Sequence, residues 1–171
     1  PKNATVRTHR ALASFGGPNP CEEALAHLKK TQELGTGGWN NIAWIQALYV
    51  FQDCPERYDG KLALEAAHKA LRVLPGLRPA SGTLGLVLYR QGRLHEAREA
   101  LLQALERSAR QQPTELFPLA MASWKLGRKA EARAYYERGV ERMRARHRWN
   151  ITENTRLMRE AAQVLGIPLA L

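Results

Sequence analysis

The chain has almost no cysteine: Cys21 and Cys54 are the only two, 33 positions apart, with no CxxC pair and no histidine cluster beside either. That excludes the recognisable zinc and dithiol redox motifs. Two isolated cysteines are expected to be reduced, which suits a cytoplasmic compartment. Long apolar runs are missing as well. Leu34 to Gln52 is free of charge, but glycine, asparagine and glutamine interrupt it and only 11 of its 19 positions are apolar. No membrane insertion is expected from such a segment. No stretch alternates apolar and polar residues as a half-buried strand would. No leader is visible, and a chain opening on Pro1 is expected to be a piece of a longer protein.

Catalytic patterns are equally scarce. His9, His27, His68, His95 and His147 are scattered, with no HExxH pair. Gly35-Thr36-Gly37-Gly38 is glycine-rich but lacks the Lys-Ser/Thr that a phosphate loop needs, and it follows a helical segment, so it reads as a linker. No Gly-x-Ser-x-Gly elbow occurs. The expectation is a non-enzyme without metal or cofactor. Acid is in short supply too: 26 Lys and Arg stand against 16 Asp and Glu, a formal charge of +10 with pI about 10.1. An anionic partner would be attracted to such a chain, and so would water.

What the chain does have is one small-residue spacing, used twice. Gly85, Gly92, Ala97 and Ala104 recur as Ala120, Gly127, Ala132 and Gly139, in frames 35 residues apart. A period of that size marks a helical-hairpin repeat. Leu84, Val87 and Leu88 give a first helix its stripe, Gln91-Gly92-Arg93 turns the chain, and Leu94, Ala97, Leu101, Ala104 and Leu105 line the second helix. Leu116, Leu119, Ala120 and Trp124, the turn Leu126-Gly127-Arg128, and Ala132, Tyr136, Gly139 and Val140 repeat the design. A third copy is stretched: Trp39, Ile42 and Ala43 open it, Ala63, Ala67, Ala70 and Leu71 close it, and Pro75 ends it. Ala43 to Ala63 spans 20 residues where the other copies span 12, so about eight extra residues are expected in a turn between Gln52 and Gly60. Upstream, Cys21 to Leu34 reads as a helix, with Val6 to Phe15 as its partner. Downstream, Thr152 to Leu165 reads as a helix ended by Gly166 and Pro168, with Leu157, Ala161, Val164 and Leu165 on one face.

The large-small pairs, turn glycines and downstream small residues resemble the tetratricopeptide repeat family. Asn41-Ile42-Ala43-Trp44, Thr83-Leu84-Gly85 with Leu88-Tyr89-Arg90, and Leu119-Ala120-Met121-Ala122 before Leu126-Gly127 further resemble tetratricopeptide tails of large planctomycete-type bacterial proteins. The resemblance implies an all-α, right-handed superhelical solenoid of antiparallel hairpins. Its expected parts are a degenerate hairpin over 1–36, repeats over 37–76, 77–111 and 112–148, and a capping helix and tail over 149–171. It also implies protein–protein interaction, as an accessory module of a larger protein or complex.

In stacked hairpins of this kind the first helices line the concave face. That places Asn40, Trp44, Leu86, Tyr89, Arg90, Met121, Trp124 and Lys125 in a groove for a peptide or helical segment of a partner protein. Aromatic residues and Arg suit a binding hot spot, and Met adapts to irregular partners. A second reading uses the basic stretch 128–148, which holds eight Lys/Arg against three Glu. Arg138, Arg142 and Arg146 form a row on it for an anionic surface or nucleic acid, with Tyr135, His147 and Trp149 near enough to stack on bases. Against it, Glu137 and Glu141 interrupt the field, and a second helix belongs on the outer side.

Overall fold

Every regular element among the described residues is a helix, as the three- and four-residue apolar spacing requires. The structure, a computed structural model, describes residues 20–33, 38–73, 78–107, 111–145 and 151–169. The chain divides into two compact units, residues 1–83 and 84–171. The expected Val6–Phe15 helix and the stop at Pro75 lie outside the described residues.

In the first unit, α1 (Pro20–Glu33) opens on a proline, carries Glu22 and Glu23 in its first turn and buries Ala24 and Leu28 one turn apart. A continuous helical rod follows, made of α2 (Trp39–Ile45), a π-helical segment (Gln46–Val50) and α3 (Phe51–Asp53). A 3-10 turn (Pro55–Arg57) then leads to α4 (Gly60–Val73), which packs along α2 through Ala63, Ala66, Ala67 and Ala70. This corrects the expected eight-residue turn. The first helix runs to Asp53, ten residues past Ala43, whereas its counterpart runs only five past Gly85. Most of the insertion is therefore helix, and the π segment absorbs it with all five of its residues buried. The buried Gln46 side chain ties down the rest: its Oε1 accepts from the Asp59 amide at 3.2 Å. The Asp59 carboxylate in turn accepts from the Leu62 amide at 2.8 Å and caps α4.

The cysteines are a second correction. Cys21 and Cys54 form a disulfide, with Cα atoms 6.3 Å apart. The elongated first helix carries Cys54 to α1, a proximity that spacing along the sequence does not reveal. Cys54 is 1% exposed, and Glu22 pairs with Arg57 beside the bridge at 3.7 Å. The expectation of reduced cysteines, and with it the support for a cytoplasmic compartment, falls away.

The second unit begins within α5 (Arg78–Arg90) and continues through α6 (Leu94–Arg107), α7 (Pro113–Lys125), α8 (Lys129–Arg144) and α9 (Ile151–Leu165). Its two hairpin turns are the same object. Gly92 (φ 74°) and Gly127 (φ 81°) sit in left-handed backbone, which lets the Arg93 amide reach the Leu88 carbonyl at 3.0 Å and the Arg128 amide reach the Ser123 carbonyl at 2.9 Å. The small residues work where the helices cross: a Cβ on Gly85 would overlap the Leu101 side chain, and one on Gly139 would come 2.6 Å from the Phe117 ring. Leu101, Leu105, Leu116 and Leu119 build the core between α6 and α7. Leu157, Ala161 and Leu165 are buried on α9, which packs on α7 and α8. No described helix is long and apolar enough to cross a membrane.

Candidate interaction site

The two hairpins of the second unit place equivalent first-helix residues 35 positions apart, pairing Leu86 with Met121, Tyr89 with Trp124 and Arg90 with Lys125. The members of these pairs have different surroundings. Leu86 and Met121 are 0% exposed and Tyr89 is 5% exposed. All three are core side chains, which corrects their expected place in an open groove: the face they occupy is the one on which neighbouring helices pack. Phe117 lies in the same core, 5.6 Å from the Tyr136 ring.

Arg90 is committed as well. Its guanidinium, 1% exposed, grips Glu160 of α9 with both terminal nitrogens, Nη2 to Oε2 at 2.7 Å and Nη1 to Oε1. A bidentate pair of this kind fixes geometry as well as charge. The adjoining Tyr89 hydroxyl is pushed up to about 12, first by burial and then by the Glu160 carboxylate, with Arg90 pulling the other way. Tyr89 is therefore neutral at physiological pH, and Lys125 Nζ sits 4.8 Å from its ring centre.

Trp124 and Lys125 remain within reach of solvent, the first half-buried and the second exposed. Lys129 Nζ lies 3.7 Å over the Trp124 ring and donates to the Trp124 carbonyl at 2.9 Å, while Arg133 approaches the same ring at 5.9 Å. Glu131, between them in sequence, accepts from Arg98 at 2.7 Å and from Arg128 at 3.1 Å. Those two hydrogen bonds hold its carboxyl below the usual glutamate range. Lys129 and Arg133, four residues apart on one face, escaped the sequence reading although their spacing was visible. Nothing in the sequence tied Glu160 to Arg90.

The basic row is divided. Arg138 donates to Gln111 Oε1, at a residue whose φ is 43°, and lies 5.9 Å from the Tyr135 ring. It serves the entry to α7 and is not an open cation, contrary to expectation. Arg142 is exposed, and Arg146, His147 and Trp149 lie outside the described residues. In the first unit Asn40 and Trp44 are both half-buried, and Asn40 Oδ1 has no hydrogen-bond partner among the described residues.

The tetratricopeptide repeat family model matches residues 79–111 and 116–142, the stretches that fold as α5–α6 and α7–α8. Those two stretches are similar to tetratricopeptide repeats. Such repeats generally mediate protein–protein interaction and are typically non-catalytic scaffolds. No curated protein matches the chain, and the narrower resemblance to planctomycete-type tails stands unsupported.

Proposed function

We propose that the chain is a non-catalytic interaction module that receives a peptide or helical segment of a partner protein. In the second unit the receiving face is that of the first helices α5 and α7, with Trp124 and Lys125 as its accessible contacts. Asn40 and Trp44 offer a separate contact on the first helix of the first unit. The observation that carries this reading is the pair of consecutive hairpins matching the tetratricopeptide repeat, with an aromatic and a cation left accessible at the end of the second first-helix. The nucleic-acid reading loses ground because Arg138 is occupied by Gln111 and Tyr135 is half-buried under Arg138.

Selection of a random dodecapeptide library on the 171-residue chain tests the reading. Peptides are expected to be retained and to bind the Trp124→Ala variant about tenfold more weakly, the loss of one aromatic anchor. A chain that retains no peptide contradicts it.

A further inference from the structure

We propose that the Cys21–Cys54 disulfide is a thiol–disulfide exchange site for a dithiol reductant, attacked at the Cys21 sulfur, and that opening it frees the N-terminal end of α1. The bridge lies wholly within the first unit.

The two sulfurs are held differently. Cys54 is buried and its backbone is fixed on both sides: its amide donates to the Val50 carbonyl at 2.9 Å, and its carbonyl accepts from the Arg57 amide at 2.8 Å. Cys21 is half-buried and sits in the first turn of α1, directly after Pro20. The π-helical segment aims the buried partner. Cys54 follows Ala43 by 11 residues, and an unbroken α-helix would return it to nearly the same side, about 20° away. The Phe51 amide instead reaches back five residues to the Gln46 carbonyl, and the one extra residue turns everything beyond it by roughly 100°. Cys54 is thereby carried off the Ala43 side and onto α1.

That asymmetry sets the order of the exchange. An incoming thiolate reaches the Cys21 sulfur; a new S–S bond forms there, the Cys21–Cys54 bond breaks, and Cys54 leaves as a thiolate. A buried site disfavours that charge, so Cys54 returns to the Cys21 sulfur and expels a monothiol. A dithiol escapes this reversal. Its second thiolate attacks its own sulfur in the mixed disulfide, and Cys21 departs as the thiolate. The dithiol gives up two electrons and becomes a disulfide, the bridge takes them, and the two protons finish on Cys21 and Cys54. The first turn of α1 suits this last step. The helix dipole favours a thiolate there, and Arg57 offsets the adjacent Glu22 carboxylate at 3.7 Å, against the opposing charge of Glu23. The Glu22–Arg57 pair is exposed and holds α1 weakly, so the disulfide is the strong tie at that end. Leu28 and Thr31 stay buried toward the other end of α1.

Acid-quenched mass spectrometry of the full chain in native buffer tests the exchange. Dithiothreitol is expected to open the bridge at least about tenfold faster than glutathione at equal thiol concentration, with the trapped glutathione adduct on Cys21. Equal opening rates, adducts shared evenly between the two cysteines, or no reduction short of denaturant would overturn the exchange site. Hydrogen exchange tests the release. In Cys21→Ser/Cys54→Ser, the amides from Ala24 to Leu28 should exchange at least about tenfold faster than in the oxidised wild type, with α7 and α9 unchanged. The dithiothreitol-reduced wild type carries no substitution, gives the same comparison and guards against a misfolded variant. Unchanged protection in α1, or equal acceleration across the second unit, would overturn the release of α1.

Discussion

Met121 and Trp124 stand three residues apart on α7, and the burial between them differs enough to assign them separate jobs. Met121 is 0% exposed, and truncating it leaves a cavity in the core of the second unit. Met121→Ala should therefore cost about 2–5 kcal/mol. Lys125→Ala, at an exposed position, should stay within about 0.5 kcal/mol. Chemical denaturation of the two variants checks the contrast, and similar midpoints would return Met121 to the surface. Tyr89 adds a pH signature. Its folded pKa of about 12 lies above the ordinary 10.0. Below pH 10 the phenol is protonated in both states and contributes no pH dependence. Between pH 10 and 12 the unfolded chain releases its proton first, so stability falls as pH rises through that window. Comparing wild type with Tyr89→Phe isolates this tyrosine from the titrating lysines; the variant should lose stability less steeply there, and parallel curves would contradict the buried site. At this scale the sequence was only half legible. It grouped Leu86, Tyr89, Arg90, Met121, Trp124 and Lys125 as one groove face, but helical periodicity gives a direction and not a depth, and the first four are buried. The helix whose Glu160 pairs with Arg90 starts 61 residues after Arg90.

At the scale of elements, repetition made the fold readable. The glycines that turn each hairpin and the small residues where helices cross recur at fixed offsets because the same backbone geometry recurs. The stretched repeat was harder to read. Its extra residues entered a π-helical segment and a longer helix, and neither alters the apolar spacing that sequence reading relies on. The disulfide followed from that elongation and so was out of sight as well. Closing a loop of 33 residues should stabilise the first unit by about 3–4 kcal/mol on chain entropy. Thiol titration of the unfolded, unreduced chain should find no free cysteine, and Cys21→Ser/Cys54→Ser should unfold at a lower denaturant concentration. Two titratable thiols, or a variant of unchanged stability, would contradict the bridge.

For the whole molecule, the proposed interaction role rests on two consecutive hairpins that match the tetratricopeptide repeat and on the accessible Trp124 and Lys125 where α7 ends. The excess of base over acid read at the outset acquires a location. Arg98, Arg128 and Arg90 pair with acids inside the second unit, while the exposed Lys129 and Arg133 lie over the Trp124 ring and the exposed Lys125 over the Tyr89 ring. Net charge alone pointed to the row at Arg138, Arg142 and Arg146. Only side-chain pairing separates cations in structural use from those available to a guest. The most direct measurement is an NMR titration of the full chain with a library-selected peptide, following the tryptophan indole N–H signals and backbone amides. Expected are shifts of the Trp124 indole and of the amides of Lys125, Lys129 and Arg133, with Arg142, near the far end of α8, unmoved. Saturable binding that leaves Trp124 and its neighbours unshifted would contradict the proposed interaction site.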